Sequence, residues 1–84
     1  MEFIETALFR RRAAENLLND DQLRRIQIAL TFYPDSGAVI PGSGGIRKLR
    51  WIGSGKGKKG GLRIIYYWMT ADHKIYFITV YGKS

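Results

Sequence analysis

Apolar residues in the first third of the chain recur at helical spacing. From Thr6 to Leu18 a loose stripe of Ala7, Leu8, Ala14, Leu17 and Leu18 predicts a helix, with Arg10-Arg11-Arg12 on the turns between. Asn19-Asp20-Asp21-Gln22 then predicts a fresh start. The Asn side chain serves the first unpaired backbone N–H groups, and acids complement the positive end of the helix. Gln at the third helical position reaches back to the cap. Leu23, Ile26, Leu30 and Tyr33 follow at spacings of three, four and three, until Pro34 removes a backbone donor and ends the helix. Two helices joined so tightly predict an antiparallel hairpin over about residues 6–33.

Beyond Pro34 the period changes. Pro34-Asp35-Ser36-Gly37 is a turn, Ala38-Val39-Ile40 a short extended piece, and Pro41 to Gly45 a flexible loop. Ile46 to Ile52, Leu62 to Met69 and Ile75 to Tyr81 are rich in β-branched and aromatic residues and predict strands. Gly53 to Gly61 and Thr70 to Lys74 join them as hairpin loops. Helices followed by strands argue for an α+β fold: a single domain over 1–84, with the hairpin packed on a three- to four-stranded antiparallel sheet over about 38–82. Alternation on the middle strand puts Leu62, Ile64, Tyr66 and Trp68 on one face, and Arg63, Ile65, Tyr67 and Met69 on the other. Both faces are partly apolar, so the pattern leaves open which one the helices take. The second face is then a lined groove or needs a cover. Gly44-Gly45-Ile46-Arg47 and Gly60-Gly61-Leu62-Arg63 each open a strand, an echo that would bring two guanidinium groups to the same rim.

Charge changes the picture more than composition does. The 84 residues carry a net charge of +7, and 45% are apolar, which suits a small globular domain. Residues 1–35 hold five basic and six acidic side chains; residues 36–84 hold nine basic ones and only Asp72 as an acid, a net of +8. Such a lopsided field draws polyanions to one part of the molecule. There is no cysteine, hence no disulfide framework, thiolate nucleophile or cysteine-ligated zinc. With one histidine, and acids concentrated in the helical half, neither a metal site nor a cofactor is expected. The amino terminus lacks the pattern of a signal peptide, and no apolar run approaches the roughly 20 residues of a membrane span. A cytoplasmic location is the expectation.

Gly55-Lys56-Gly57-Lys58-Lys59-Gly60 has the bare form of a dinucleotide fingerprint. That fingerprint needs a strand before it and a helix after it, whereas here a strand follows and every variable position is lysine. What remains is a basic loop whose glycines admit a phosphate chain and whose lysines neutralise it. Arg47, Lys48, Arg50, Arg63 and Lys83 add cations, and Trp51, Tyr66, Tyr67, Trp68, Tyr76 and Tyr81 interleave with them. Each ring taken singly is more often core than binding surface. Together with the charges, they suit single-stranded RNA better than a duplex groove. His73 beside Asp72 is more often a solvated turn residue than a general base. Any phosphoryl chemistry therefore runs on Lys, Arg and Tyr. RNA permits this, because its own 2′-OH is the nucleophile and the protein need only orient it, move protons and stabilise charge.

The run Val39 to Trp51, the later Gly-Lys-Gly-Lys-Lys-Gly-Gly-Leu-Arg-Ile-Ile-Tyr-Tyr and the closing Ile78-Thr79-Val80-Tyr81-Gly82-Lys83 resemble the RelE/HigB toxins of bacterial toxin–antitoxin systems, within the RelE/ParE superfamily and closest to its HigB-like branch. The resemblance spans nearly the whole chain. It implies a ribosome-dependent mRNA endonuclease (an mRNA interferase) that cleaves in the ribosomal A site by metal-independent 2′-OH attack. A cognate antitoxin would hold it inactive, and contacts with 16S rRNA would dock it. Carried over by position, it implies Arg63 as the cation stabilising phosphorane charge, Lys58 or Lys83 as the proton-transfer group, and Tyr81 for orientation or stacking. Arg47, Lys48, Arg50, Lys56 and Lys59 would bind RNA. Family members continue into a carboxy-terminal helix where this sequence stops at Ser84, which raises self-association or a partner as the cover for exposed apolar surface, and a truncated, inactive toxin as one alternative. A non-catalytic RNA- or ribosome-binding module is another. A ParE-like gyrase poison fits less well, because it lacks such a basic loop.

Overall fold

In the computed structural model of the chain, which describes residues 1–52 and 61–82, two helices cover one face of a five-stranded sheet. The elements are β1 (Glu2–Glu5), α1 (Ala7–Glu15), α2 (Asp20–Phe32), β2 (Ala38–Val39), β3 (Ile46–Trp51), β4 (Leu62–Met69) and β5 (Lys74–Gly82). The strand order is β1-β5-β4-β3-β2. The α+β class is as expected, and β2 to β5 form an antiparallel meander. The added element is β1, which pairs in parallel with β5, Phe3 opposite Ile75. Its four residues carry two glutamates and no clear alternation, so nothing local marks them as a strand.

The even positions of β4 face the helices. Leu62, Ile64 and Tyr66 are buried with Ile75, Phe77 and Val80 of β5, beneath Phe9, Ala13, Leu18, Ile26 and Leu30. Phe77 is the centre of an aromatic stack, 4.8 Å from Phe9 and 5.7 Å from Phe3 between ring centroids. Thr6 ties the β1–α1 junction to this point. Its backbone N–H donates to the Phe77 carbonyl, and its hydroxyl lies 2.9 Å from the Phe77 and Ile78 carbonyl oxygens while accepting from the Phe9 N–H as the helix cap.

The buried stripe of α1 is Phe9 and Ala13, not the wider set the sequence suggested. Leu8, Ala7 and Ala14 face outward, and α1 ends at Glu15 rather than Leu18. Leu17 adopts a left-handed φ of 57°, its N–H donating to the Ala14 carbonyl and the Leu18 N–H to the Ala13 carbonyl. This is a Schellman ending, with buried Leu18 packed back toward Ala13. The capping box of α2 forms as read: Gln22 N–H donates to Asn19 Oδ1 at 2.8 Å, and Asn19 N–H to Gln22 Oε1 at 3.4 Å. Among the described residues no helix is long and apolar enough to cross a membrane.

Candidate nucleic-acid interface

The face of the sheet turned away from the helices is organised in cross-strand rows, fixed by register. Arg50 of β3 pairs with Arg63 of β4, which pairs with Tyr81 of β5. The next row inward is Lys48, Ile65 and Thr79. After a β-bulge at Ile78 come Ile46, Tyr67, Tyr76 and Ile4, and then Met69, Lys74 and Glu2. Lys48, Arg50 and Tyr81 are exposed, and Arg63 is half-buried. Neighbouring side chains on one sheet face stand about 5 Å apart, so two guanidinium groups and a phenol share one strip of surface. Cations placed side by side on one face concentrate positive potential there. Among the described residues no cluster of His, Cys, Asp or Glu side chains could hold a metal ion.

The strip lies at the end of the sheet where β3 finishes and β4 begins. The chain leaves the described residues at Ile52 and returns at Gly61, both beside this row. Gly61 has a φ of +77°, and a Cβ there would meet the Trp51 carbonyl oxygen, so only glycine serves. Lys56, Lys58 and Lys59, and Lys83 after Gly82, lie outside the described residues.

Two expectations about arginines change. Arg47 does not join the strip, because it sits on the helix-facing side opposite Tyr66. Its Nη1 donates to the Gly37 carbonyl at 2.7 Å and to the Asp35 carbonyl at 3.2 Å, clamping the turn after α2. The rim shared by Arg47 and Arg63 is absent for the same reason that β3 and β4 form a hairpin. In an antiparallel pair, two strand starts lie at opposite ends. The partner of Arg63 is Arg50, near the end of β3, and only the register reveals that.

The turn that Arg47 clamps is held from the other side by Tyr66, whose hydroxyl donates to the Pro34 carbonyl at 2.7 Å and accepts from the Gly37 N–H at 2.9 Å. Burial pushes the Tyr66 phenol above its ordinary 10.0; the Gly37 hydrogen bond, the Arg47 guanidinium and Ser36 pull in the opposite direction. His73 has a left-handed φ of 52° in the β4–β5 turn, at the far end of the sheet from Arg63, and its carbonyl accepts from the Glu2 N–H. It is exposed and takes no part in the strip.

A helix–helix layer on a sheet in this order has counterparts among solved structures. A chain of the intact E. coli RelBE toxin–antitoxin complex superposes with a TM-score of 0.68 at 16% identity, covering 99% of this chain and 95% of that one. The chain has the RelE fold. A mutant of E. coli toxin RelE in the free state matches with a TM-score of 0.63 at 18% identity, over 98% of this chain and 81% of that one. No family model matches the sequence.

Proposed function

We propose that the protein is the toxin of a toxin–antitoxin pair, of the HigB-like kind, and that it cuts mRNA on the ribosome without a metal. The observation that carries this reading is the Arg50–Arg63–Tyr81 row, with Lys48 behind it, on an open face of a RelE-like sheet. Arg63 takes the phosphate. The RNA 2′-OH attacks the adjacent phosphorus, the phosphorane charge that develops falls to Arg63, and the bond to the 5′ oxygen breaks to leave a cyclic phosphate. Lys58 or Lys83 takes the 2′-OH proton, and a second proton reaches the departing 5′ oxygen. Lys48 and Arg50, with Lys56 and Lys59, hold neighbouring phosphates, and Tyr81 orients the nucleotide. Arg47 drops out of the RNA-binding set, since its guanidinium is committed to the carbonyls of Asp35 and Gly37. The cationic half invites an acidic or amphipathic antitoxin segment as the neutralising partner.

Primer extension on a translated mRNA tests the reading. The wild-type chain is expected to cut only message that is being translated, and Arg63→Ala to lower the single-turnover rate about 10²–10³-fold, as loss of one charge-stabilising donor does elsewhere. RNA binding with no cleavage, unchanged by Arg63→Ala, would instead make the chain a non-catalytic binding module.

A further inference from the structure

The six aromatic residues interleaved with the basic ones in sequence separate cleanly in space. Trp51, Tyr66 and Trp68 turn toward the helices and belong to the core or pack against it. Tyr67, Tyr76 and Tyr81 are on the open face. Tyr81 belongs to the cation row already described. Tyr67 and Tyr76 are a directly registered pair two rows further along, flanked by Ile46 and Ile4. Both rings are half-buried, and neither is in ring contact with another aromatic among the described residues. A buried tyrosine ordinarily finds a partner for its hydroxyl, as Tyr66 does. Among the described residues, no helix or strand covers the face on which these two rings lie.

We propose that Tyr67 and Tyr76 form a nucleobase-stacking subsite for single-stranded RNA, continuous with the phosphate strip at Arg50 and Arg63. This rests on the RNA reading above and adds to it the path of the strand. Arg63 and Tyr67 lie on the same face of β4, four residues apart, or about 13 Å at the rise of a strand. An extended dinucleotide bridges that span. Between them, Ile65 and Thr79 offer a low, largely uncharged floor, and Lys48 flanks it at the β3 side. Charge selects the occupant. Among the described residues in register on the open face, Lys48, Arg50 and Arg63 lie at one end against a single acid, Glu2, which lies 4.0 Å from Lys74 at the other. A polyanion with planar apolar rings matches both halves of that surface, whereas an apolar peptide matches only one. Sheets that bind unpaired RNA work in the same way, with aromatic side chains on the uncovered face taking successive bases.

The test uses the full chain and 2′-O-methyl RNA hexanucleotides, which cannot be cut, with binding read by fluorescence anisotropy. Replacing one nucleotide at a time by an abasic one is expected to weaken binding about 10-fold at one or two adjacent positions and little elsewhere. The Tyr67→Leu, Tyr76→Leu double variant should lose a similar factor on the intact oligonucleotide and nothing more on the abasic one. Tyr67→Phe and Tyr76→Phe should bind like wild type, because stacking uses the ring and not the hydroxyl. The abasic series changes only the ligand, so it stands even where a leucine variant folds poorly. Uniform tolerance of abasic sites, or leucine variants that bind normally, would overturn the proposal and assign the tyrosine pair to a protein partner. In either case Arg63→Ala should still weaken binding of every oligonucleotide. Were it not to, the role given to Arg63 in cutting would fail; were no oligonucleotide to bind, the RNA reading itself would fail together with the subsite.

Discussion

Tyr66 shows how one side chain holds two layers together. It is fully buried on β4, yet its hydroxyl satisfies the Pro34 carbonyl and the Gly37 N–H of the turn that carries the chain from α2 back to the sheet. Gly37 can approach so closely only because it lacks a Cβ, which would stand 2.8 Å from the Tyr66 ring. Tyr66→Phe removes both hydrogen bonds and leaves a buried donor and acceptor unpaired. A loss of about 1–3 kcal/mol in urea unfolding is expected. The variant should also change the alkaline limb of stability. The folded state raises the Tyr66 pKa above 10.0, so folding favours the protonated phenol. Above that pH the unfolded chain releases a proton that the folded one keeps, and stability falls as pH rises toward the folded pKa. Below pH 10 the group contributes no slope. Wild type should therefore lose stability more steeply than Tyr66→Phe above about pH 10, and parallel curves would show that the phenol is not held neutral. None of this was legible in the sequence, where Tyr66 and Tyr67 are adjacent and identical. Alternation separates them, but only packing decides which of the two goes under the helices.

At the scale of elements, what could be read was whatever carries its own local signal. The capping box at Asn19, the end of α2 at Pro34 and the span of β4 came from residue chemistry and periodicity alone, and they stand as read. What could not be read depends on partners far away in sequence. β1 exists because its backbone pairs with β5, some seventy residues on, and because Phe3 stacks on Phe77. The Arg50–Arg63 neighbourhood depends on the register of a hairpin. The end of α1 is a subtler case, for a Schellman turn normally announces itself with glycine and here the left-handed position is Leu17. That leucine is 79% exposed, so its side chain gains little from burial while its backbone bears the strain. Leu17→Gly should accordingly stabilise the fold, by about 1 kcal/mol, seen as a higher denaturation midpoint with unchanged slope. A destabilised variant would mean that Leu17 makes a contact worth more than the strain, and would mark it as an interaction residue.

Over the whole molecule, the two halves of the sequence become two sides of one body. The helical layer comes from the half with a net charge of −1, and the open sheet face, apart from Glu2 and Ile4 of β1, from the half with +8. A polyanion therefore meets a molecule with a preferred side before any specific contact forms. If binding runs through phosphates, the logarithm of affinity should fall linearly with the logarithm of salt concentration, by roughly 0.7 for each phosphate neutralised on a single strand. Lys48→Gln removes one exposed charge from the open face and should make that slope shallower by about 0.7, weakening all RNA sequences alike. Arg24→Gln removes an equal charge from the exposed side of α2, in the layer on the other side of the sheet, and should leave the slope where it was. Titrating one unstructured RNA against wild type and both variants at four salt concentrations separates the cases. Equal slopes in the two variants would mean that net charge acts at a distance and the open face has no special hold on the phosphates. A shallower slope for Lys48→Gln alone would fix the strand on the face where Arg50, Arg63 and the paired tyrosines lie.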